Sequence, residues 1–291
     1  MCGRFTLRAS AEVVAGEFLV ILLEPLPPRY NIAPSQAIWV IWACPGEAKK
    51  PSASGPAQIA PPQSPSAGRP EGESPRFELS TAADQQGLVP KIFPPRQLVW
   101  MQWGLRWTGP TRRQTPSLLI NLRTETALEK PRFRNLLQSR RCLILADGFY
   151  EWEKIGRGRW PYFIHRKDDR PFGMAGLWKP PASAEPALLP ECVVLTTPAN
   201  ALLESIHPRM PALLLPEDYG LWLDPAEDRP EVLARLVRPY PSEHLEAYPV
   251  SERVNSPEWE NPDCIQREDR PRQSMLFSFG EEGPPAAPPT V

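Results

Sequence analysis

Hydrophobic residues near the start of the chain follow a helical spacing and then a strand pattern. Val13, Val14 and Phe18 recur at the spacing of one helix face. Ser10, just before them, is a residue type that accepts hydrogen bonds from the first turn of a helix. The segment 37–43 is rich in Ile, Val and Trp, which favour strands. We therefore predict a short helix beginning after Ser10, followed by a strand.

Further short hydrophobic runs predict a sheet-rich domain. Runs with the composition of strands cover 97–103, 117–123, 142–152, 162–165, 172–178, 192–196 and 213–215. Short helices are expected over 131–141 and 230–237. Two more should follow Pro198 and Pro216, because proline is favoured in the first turn of a helix. Many short strands with few long helices indicate an α+β fold, here a single domain of curved, barrel-like antiparallel sheets flanked by short helices.

Two parts of the sequence lack such patterning. The segment 44–95 contains 11 prolines and two aromatic residues among its 52 positions. Its composition buries too little apolar surface to offset the entropy of ordering. After about residue 266 the chain is again polar and rich in proline. We predict one domain over residues 1–265 with a disordered insertion at about 44–95, and a disordered tail over 266–291.

The net charge of the whole chain does not reflect the local distribution of basic and acidic residues. The formal net charge is −1, which by itself does not indicate a nucleic-acid partner. Residues 101–141 nevertheless hold nine basic and two acidic side chains, a local charge of +7. This stretch would form a basic face if the fold brings its members together. A solvated charged surface is the alternative.

Cysteine usage and hydropathy exclude several classes of protein. The five cysteines are an odd number and contain no C-x-x-C pair, which argues against a disulfide framework and a structural zinc site. We predict no metal and no cofactor, because no His, Cys and Asp cluster has ligand spacing. No apolar run approaches the roughly 20 residues of a membrane span, and the start of the chain has no signal-peptide pattern. We therefore expect a reducing interior and no membrane partner.

Met1-Cys2-Gly3 offers unusual chemistry if Met1 is trimmed, which the small size of Cys2 favours. The α-amine of Cys2 would then be free beside its thiol. An α-amine has a reference pKa of about 7.7–8.0, against about 10.4 for lysine, so part of it is neutral at pH 7. Such an amine can attack an aldehyde to give a Schiff base, which the thiol can close to a thiazolidine. The alternative is that Cys2 is an incidental residue at a start codon.

Asn121, Arg123 and Glu125 alternate along a predicted strand and so should share one face. Asparagine is disfavoured inside strands, which suggests a hydrogen-bonding role for Asn121. Arg123 could hold a phosphate through two parallel hydrogen bonds. The alternative is a solvent-facing strand with an Arg–Glu pair.

Two further segments carry candidate acid–base groups. Glu151 stands among three aromatic residues, where burial would raise its pKa and suit it to proton transfer. If it points outward, it is an ordinary strand glutamate. His207 is held extended by the following Pro208 and is close to Arg209, which suits proton transfer beside a phosphate. A structural histidine is the alternative.

Six segments occur in the order found in one known family. They are residues 2–5, 29–34, 103–105, 120–125, 146–152 and 206–211. On these motifs, over about residues 2–262 without the insertion, the chain resembles the SRAP family, named for an SOS response-associated peptidase. The resemblance implies a protein that binds abasic sites in single-stranded DNA and crosslinks to them, shielding them during the DNA damage response. The family name also implies a peptidase activity, by which the protein itself would remove Met1.

The resemblance also implies roles for matching positions. Cys2 would form the Schiff base and then the thiazolidine with the sugar aldehyde. Asn121 would orient the adduct, Glu151 would act as acid and base at the amine, and His207 would assist sugar ring opening. Among the DNA-binding positions, Arg4, Arg123 and Arg209 would grip phosphates, and Asn31 and Pro34 would lie in the loop that lines the site. To these we add Trp107, which the resemblance does not supply because the turn around it departs from the family pattern, as the residue that stacks on a neighbouring base.

The predicted tail contains one apolar island. Gln273, Leu276 and Phe277 resemble a sliding-clamp-binding peptide, which would place the protein at replication forks. Stray apolar residues in an unstructured tail are the alternative. We expect a monomer, which would be cytoplasmic and close to the nucleoid if bacterial, and nuclear if eukaryotic.

Two other functions fit part of the sequence. Class II glutamine amidotransferases also begin with Met-Cys-Gly and use the thiol to attack an amide, although the remaining motifs do not resemble theirs. A non-catalytic single-stranded DNA binder with an idle Cys2 is the third hypothesis.

Overall fold

The structure, a computed structural model, describes residues 2–21, 24–43, 95–107, 117–156, 158–181, 183, 185 and 188–269. Almost all of the predicted insertion and most of the predicted tail lie outside this range. Strands and short helices alternate through the described residues, and nearly all strand pairs are antiparallel. The predicted α+β class is confirmed.

The sheets are built from strands that recur through the chain. They are β1 (Arg4–Leu7), β2 (Arg29–Ile32), β3 (Ala37–Ala43), β4 (Arg96–Trp103), β5 (Leu105–Trp107), β6 (Ser117–Leu119), β7 (Asn121–Arg123), β8 (Arg141–Ala146), β9 (Gly148–Ile155), β10 (Gly158–Arg166), β11 (Phe172–Lys179), β12 (Glu191–Pro198), β13 (Arg209–Pro211) and β14 (Leu245–Pro249).

One sheet closes into a ring of strands. Its order is β11-β8-β3-β4-β12, and pairing of β11 with β12 completes the circuit. Strand β8 is buried at every position, as expected of a strand covered on both faces. The short strands β7 and β13 extend the ring by pairing with the second half of β12, β7 in parallel and β13 antiparallel. The end of β12 is therefore flanked by both.

A second sheet has the order β14-β10-β9-β1-β2 and lies against the ring. Strand β1 is interior to it, between β9 and β2. Phe5 of β1 packs edge-on against Trp103 of β4, with ring centroids 5.0 Å apart, which ties the second sheet to the ring. Both side chains are fully buried. The start of the chain is thus held at the junction of the two sheets.

Short helices cover the outside of the sheets. They are α1 (Ala11–Phe18), α2 (Thr124–Glu129), α3 (Pro131–Ser139), α4 (Tyr219–Leu223) and α5 (Pro230–Leu236), with 3-10 turns at Pro216–Asp218, Ser242–His244, Glu252–Asn255 and Pro262–Ile265. The predicted cap of α1 is confirmed, because the Ser10 hydroxyl accepts a hydrogen bond from the Val13 N–H at 3.4 Å. Val14 and Phe18 are its buried residues.

Several predicted elements differ in the structure. The predicted strand 142–152 is divided between β8 and β9, because the chain bends at Asp147 and passes there from the ring to the second sheet. The Asp147 carboxylate accepts hydrogen bonds from the backbone N–H groups of Arg8 and Ala9 at this bend. The predicted helix after Pro198 is a series of turns over 201–206. Of the predicted strand 213–215, only a single bridge at Leu213 forms.

Candidate functional site

Cys2 lies just before β1, and its side chain is fully buried. The amide nitrogen Nδ2 of Asn121 donates a hydrogen bond to the Cys2 carbonyl oxygen at 2.6 Å. The Cys2 Sγ lies 3.5 Å from the Arg4 carbonyl oxygen, to which it can donate weakly. The predicted hydrogen-bonding role of Asn121 is thus visible as a contact with the main chain of Cys2.

Asn121 reaches Cys2 because β7 is fixed to the ring. It pairs with Val194 in the parallel register of β7 and β12. Its side chain is buried, and its Oδ1 atom has no hydrogen-bond partner among the described residues. A buried acceptor without a hydrogen-bond donor destabilises the folded protein. The Oδ1 atom therefore marks a position where a ligand can donate a hydrogen bond.

Glu151 is the carboxylate of this site. The pairing of β1 with β9 sets Arg4 opposite Tyr150, so the next residue, Glu151, lies close to the start of β1. Its side chain is 3% exposed, which decides between the two orientations that the sequence left open. Burial, with the nearby charge of Glu151 as the second cause, raises the pKa of the Cys2 thiol to about 12. The thiol is therefore protonated at neutral pH.

His207 lies ahead of β13, on the far side of β12 from β7. Its Nδ1 atom accepts a hydrogen bond from the Arg209 N–H at 3.0 Å. The same Nδ1 atom also lies 3.1 Å from the Arg209 carbonyl oxygen, to which it would donate in the other tautomer. His207 is partly exposed.

Arg209 is held by a carboxylate and by the ring. Its Nη1 and Nη2 atoms donate to the two oxygens of Glu125 at 2.7 and 3.0 Å. Nη2 also donates to the carbonyl oxygen of Thr196 on β12. Arg123, by contrast, is exposed at the end of β7, and its side chain makes no hydrogen bond or ion pair within the described residues.

The expectation that Asn121, Arg123 and Glu125 share one strand face is wrong for Glu125. The strand ends at Arg123, and Thr124 begins α2, so Glu125 stands in the first turn of a helix. The Thr124 hydroxyl donates to the Thr196 carbonyl oxygen at 3.0 Å, which fastens this turn to β12. From there the carboxylate of Glu125 reaches Arg209 rather than Arg123.

Arg4 and Asn31 form a structural pair. The Nη1 atom of Arg4 donates to Asn31 Oδ1 at 3.0 Å and to the Val254 carbonyl oxygen at 2.7 Å. Asn31 is fully buried, and its Nδ2 atom donates to the carbonyl oxygens of Ser256 and Trp259 at 2.9 and 2.8 Å. These bonds fasten the segment 252–260 over the ends of β1 and β2.

Other predicted positions are less closely tied to Cys2. Pro34 is half-buried in the turn between β2 and β3, beside Ser35, whose N–H donates to the Trp103 carbonyl oxygen at 2.8 Å. Trp107 ends β5, and its side chain lies outside the described residues. Gln273, Leu276 and Phe277 also lie outside them.

Not every basic side chain of the stretch 101–141 lies on the surface. Arg123, Lys130, Arg132 and Arg134 are exposed. Arg141, however, is buried, and its guanidinium donates to carbonyl oxygens at the ends of α3 and α4 and in the loop after α4. These belong to Leu137, Gln138, Trp222, Asp224 and Glu227. This arginine stabilises the fold and contributes nothing to a basic face.

The sequence interpretation missed Thr196 and Glu260. Thr196 binds both Arg209 and Thr124 through its carbonyl oxygen, and threonine in a strand carries no distinguishing signal. The Glu260 carboxylate accepts from the backbone N–H groups of Tyr30 and Asn31 and from the Arg29 side chain. An acidic residue that caps a strand edge from more than 200 positions away leaves no local pattern.

No group of three or more His, Cys, Asp or Glu side chains in the described part of the chain could hold a metal ion. Among the described residues, no helix has the length and apolar character needed to cross a bilayer.

Comparisons with known proteins place this geometry in context. The sequence model of the family described as "SOS response associated peptidase (SRAP)" matches residues 1–257. The abasic site processing protein YoqW of Bacillus subtilis is 32% identical over 270 residues, which cover 91% of this chain and 99% of that protein. The abasic site processing protein HMCES of Gallus gallus is 35% identical over 198 residues, which cover 58% of this chain and 57% of that protein.

Solved structures show the same fold. A protein from Bacteroides thetaiotaomicron superimposes with a TM-score of 0.51 at 27% identity, covering 59% of this chain and 77% of that chain. A protein from Bordetella bronchiseptica superimposes with a TM-score of 0.57 at 21% identity, covering 86% of this chain and 100% of that chain. The arrangement of a strand ring against a second sheet is thus shared with experimentally determined proteins.

Proposed function

The chain belongs to the SOS response associated peptidase (SRAP) family, and we propose that it processes abasic sites in single-stranded DNA by forming a covalent crosslink through Cys2. The curated relatives named above are abasic site processing proteins, which supports the general activity. The observation that carries the covalent part is the contact of Asn121 with the Cys2 main chain beside the buried Glu151.

The reaction begins at the amine and needs no oxidant or reductant. After Met1 is removed, the neutral α-amine of Cys2 adds to the aldehyde carbon of the ring-opened sugar, and loss of water gives an imine. The thiol sulfur then adds to the imine carbon, and the thiol proton is transferred to nitrogen. The product is a thiazolidine whose mass is that of protein plus DNA minus one water.

Burial raises the pKa of the Cys2 thiol in the chain that carries Met1. Where the mature protein keeps this burial, the thiol is protonated and a weak nucleophile, so the amine is the first group to add to the aldehyde. The thiol need only add in the second step, when the imine carbon is fixed next to it.

The surrounding side chains take roles that follow from their positions. Asn121 holds the Cys2 carbonyl oxygen, and its free Oδ1 can accept a hydrogen bond from the adduct nitrogen. Glu151 is buried close to Cys2 and moves protons at the carbinolamine and imine steps. His207, which is partly exposed ahead of β13, assists opening of the sugar ring.

DNA binding in this proposal is mainly contact with phosphates. Arg123 is exposed and ready for such a contact, and Arg209 binds Glu125, two positions along the chain from Arg123. Asn31 acts through position, because its polar atoms are engaged with Arg4 and the segment 252–260. Arg4, which uses three of its five N–H groups within the described residues, remains a predicted phosphate contact. Pro34 and Trp107 remain predicted contacts to the strand.

The test is intact mass spectrometry of the purified protein before and after incubation with a single-stranded oligonucleotide that carries one abasic site. We expect loss of Met1 and a stable adduct of the stated mass. An imine has the same mass but is trapped by borohydride, whereas a thiazolidine is not. Cys2→Ser keeps the α-amine without the thiol, and should give an adduct only when borohydride is present.

Two controls separate this function from its rivals. Cys2→Ala should lose the stable crosslink but keep non-covalent binding of the same oligonucleotide, and an undamaged oligonucleotide should give no adduct. A mature Cys2 that binds DNA without any adduct would mean a non-catalytic binder. A mature Cys2 that neither binds nor reacts would overturn the proposal and direct attention to amide substrates.

A further inference from the structure

The guanidinium of Arg209 has almost no donor left for a ligand. Of its five N–H groups, one on Nη1 and one on Nη2 bind the two oxygens of Glu125. The other N–H of Nη2 is directed to Thr196, whose carbonyl and hydroxyl oxygens both lie within reach. The Nε–H is buried and has no hydrogen-bond partner in the described part of the chain. Only the second N–H of Nη1 remains.

A phosphate would approach the edge that Glu125 now occupies. A carboxylate and a phosphate both present two oxygens at the spacing that the fork of an arginine matches. The side chain of Arg209 is 13% exposed while that of Glu125 is 50% exposed, so the carboxylate covers the solvent side of the pair. Arg209 can therefore give a phosphate two parallel hydrogen bonds only after Glu125 leaves.

Glu125 is held by electrostatics rather than by packing. It stands in the first turn of α2 and is exposed to solvent. The hydrogen bonds from Arg209 lower the pKa of its carboxyl group, and the charges of Arg209 and Arg123 act in the same direction. It is ionised at neutral pH and can be displaced without opening the core.

We propose that Glu125 is an internal substitute for a DNA phosphate, which occupies Arg209 in the DNA-free protein and is displaced when single-stranded DNA binds. This inference rests on the proposed function, because it takes Arg209 as a phosphate ligand. Glu125 thereby weakens the binding of undamaged DNA, which must compete with the carboxylate for Arg209. Only a strand that is retained by other contacts, including the crosslink at Cys2, displaces Glu125 fully.

The test compares Glu125→Gln with the wild-type protein. The glutamine keeps the shape of the side chain but removes its charge, so Arg209 is released to the phosphate. We expect the variant to bind undamaged single-stranded DNA roughly fivefold more tightly at low salt, the upper range for an exposed ion pair. In the wild-type protein, DNA binding frees the Glu125 carboxylate, which takes up a cation and offsets part of the cation release. Glu125→Gln has no such carboxylate, so the slope of log Kd against log salt concentration should become steeper by up to about 0.7.

Two matched variants isolate the effect. Glu129→Gln removes the same charge one helical turn further along α2, where the side chain is exposed and forms no ion pair with Arg209 among the described residues, and should change affinity and salt dependence much less. In an Arg209→Gln background, Glu125→Gln should no longer strengthen binding, because it acts through Arg209. Glu125→Asp keeps the charge on a shorter side chain, and should also tighten binding.

The outcomes are distinguishable from failure of the proposed function. If the wild-type protein neither binds nor crosslinks an abasic oligonucleotide, the proposed function fails. If the wild-type protein crosslinks but Glu125→Gln binds undamaged DNA equally or more weakly, Glu125 orients Arg209 for DNA and the substitute hypothesis is wrong. Equal gains from Glu125→Gln and Glu129→Gln would reduce it to a general charge effect.

Discussion

Replacing Asn31 with alanine tests whether this residue supports the site or contacts DNA. The side chain is fully buried, and its amide joins β2 to the segment 252–260. Alanine would remove one donor from each of the carbonyl oxygens of Ser256 and Trp259, which keep the Trp259 N–H and the Cys264 thiol, respectively, each at 3.1 Å. It would also deprive Arg4 of one acceptor, although its bond to the Val254 carbonyl oxygen would remain.

The expected loss follows from these contacts. A hydrogen bond within a protein contributes about 0.5–1.5 kcal/mol net, with a central value of about 1 kcal/mol. Asn31→Ala removes three of them, with Ser256, Trp259 and Arg4, and each of these partners keeps another contact. We therefore expect destabilisation of about 3 kcal/mol. For a domain of this size, that corresponds to a fall in Tm of roughly 6–12 °C.

Thermal unfolding followed by circular dichroism measures this change, with Asn135→Ala on the exposed face of α3 as the control. The control should stay within about 0.5 kcal/mol of wild type. Crosslinking by Asn31→Ala should recover well below its lowered Tm, because the side chain supports the site without touching DNA. A variant with unchanged Tm and weakened DNA affinity would refute this interpretation and make Asn31 a contact residue.

Three further predictions concern other parts of the fold. Gly148→Ala should cost about 1–3 kcal/mol, measured by urea unfolding, because its added Cβ would lie 2.2 Å from the Cζ atom of the buried Phe163 ring. Arg141→Met should cost about 3 kcal/mol or more in the same assay, since it strips the donors from several buried carbonyl oxygens. The Arg209–Glu125 pair lowers the pKa of Glu125, so its contribution to stability is present above the reference pKa of about 4.3 and is lost as pH falls through the lowered pKa. The Tm values of wild type and Glu125→Gln should converge there, and a constant difference down to pH 2 would contradict the assignment.

Local patterns predicted much of this architecture. Ser10, Val14 and Phe18 form the cap and buried face of α1, because capping and helical spacing act over only a few residues. The strand 37–43 was predicted with the bounds that the structure shows, since its Ile, Val and Trp residues suit a buried sheet. The hydrogen-bonding role of Asn121 followed from its misfit in a strand, but its partner did not.

What the sequence could not show depends on contacts between distant residues. Arg4 was predicted to bind DNA, yet its nearest acceptors are Asn31 and the carbonyl oxygens of Val254 and Asn255, about 250 positions away. The burial of Glu151 was equally open, because strand alternation gives two faces and only the pairing of β9 with β1 selects between them. Register and long-range capping arise from the folded chain as a whole.

A nucleophile at residue 2 needs more order than a chain terminus usually has, because terminal residues fray unless they are tied down. Here β1 is an interior strand, and its Phe5 is buried against Trp103 of the ring. Asn121 then holds the Cys2 carbonyl oxygen at 2.6 Å, two bonds from the carbon that bears the amine. In the mature form that we propose, without Met1, the Cys2 amine would be positioned by this core packing while its nitrogen stays free to react. The fold would thus give a terminal amine the positional precision that catalytic side chains obtain from rigid elements.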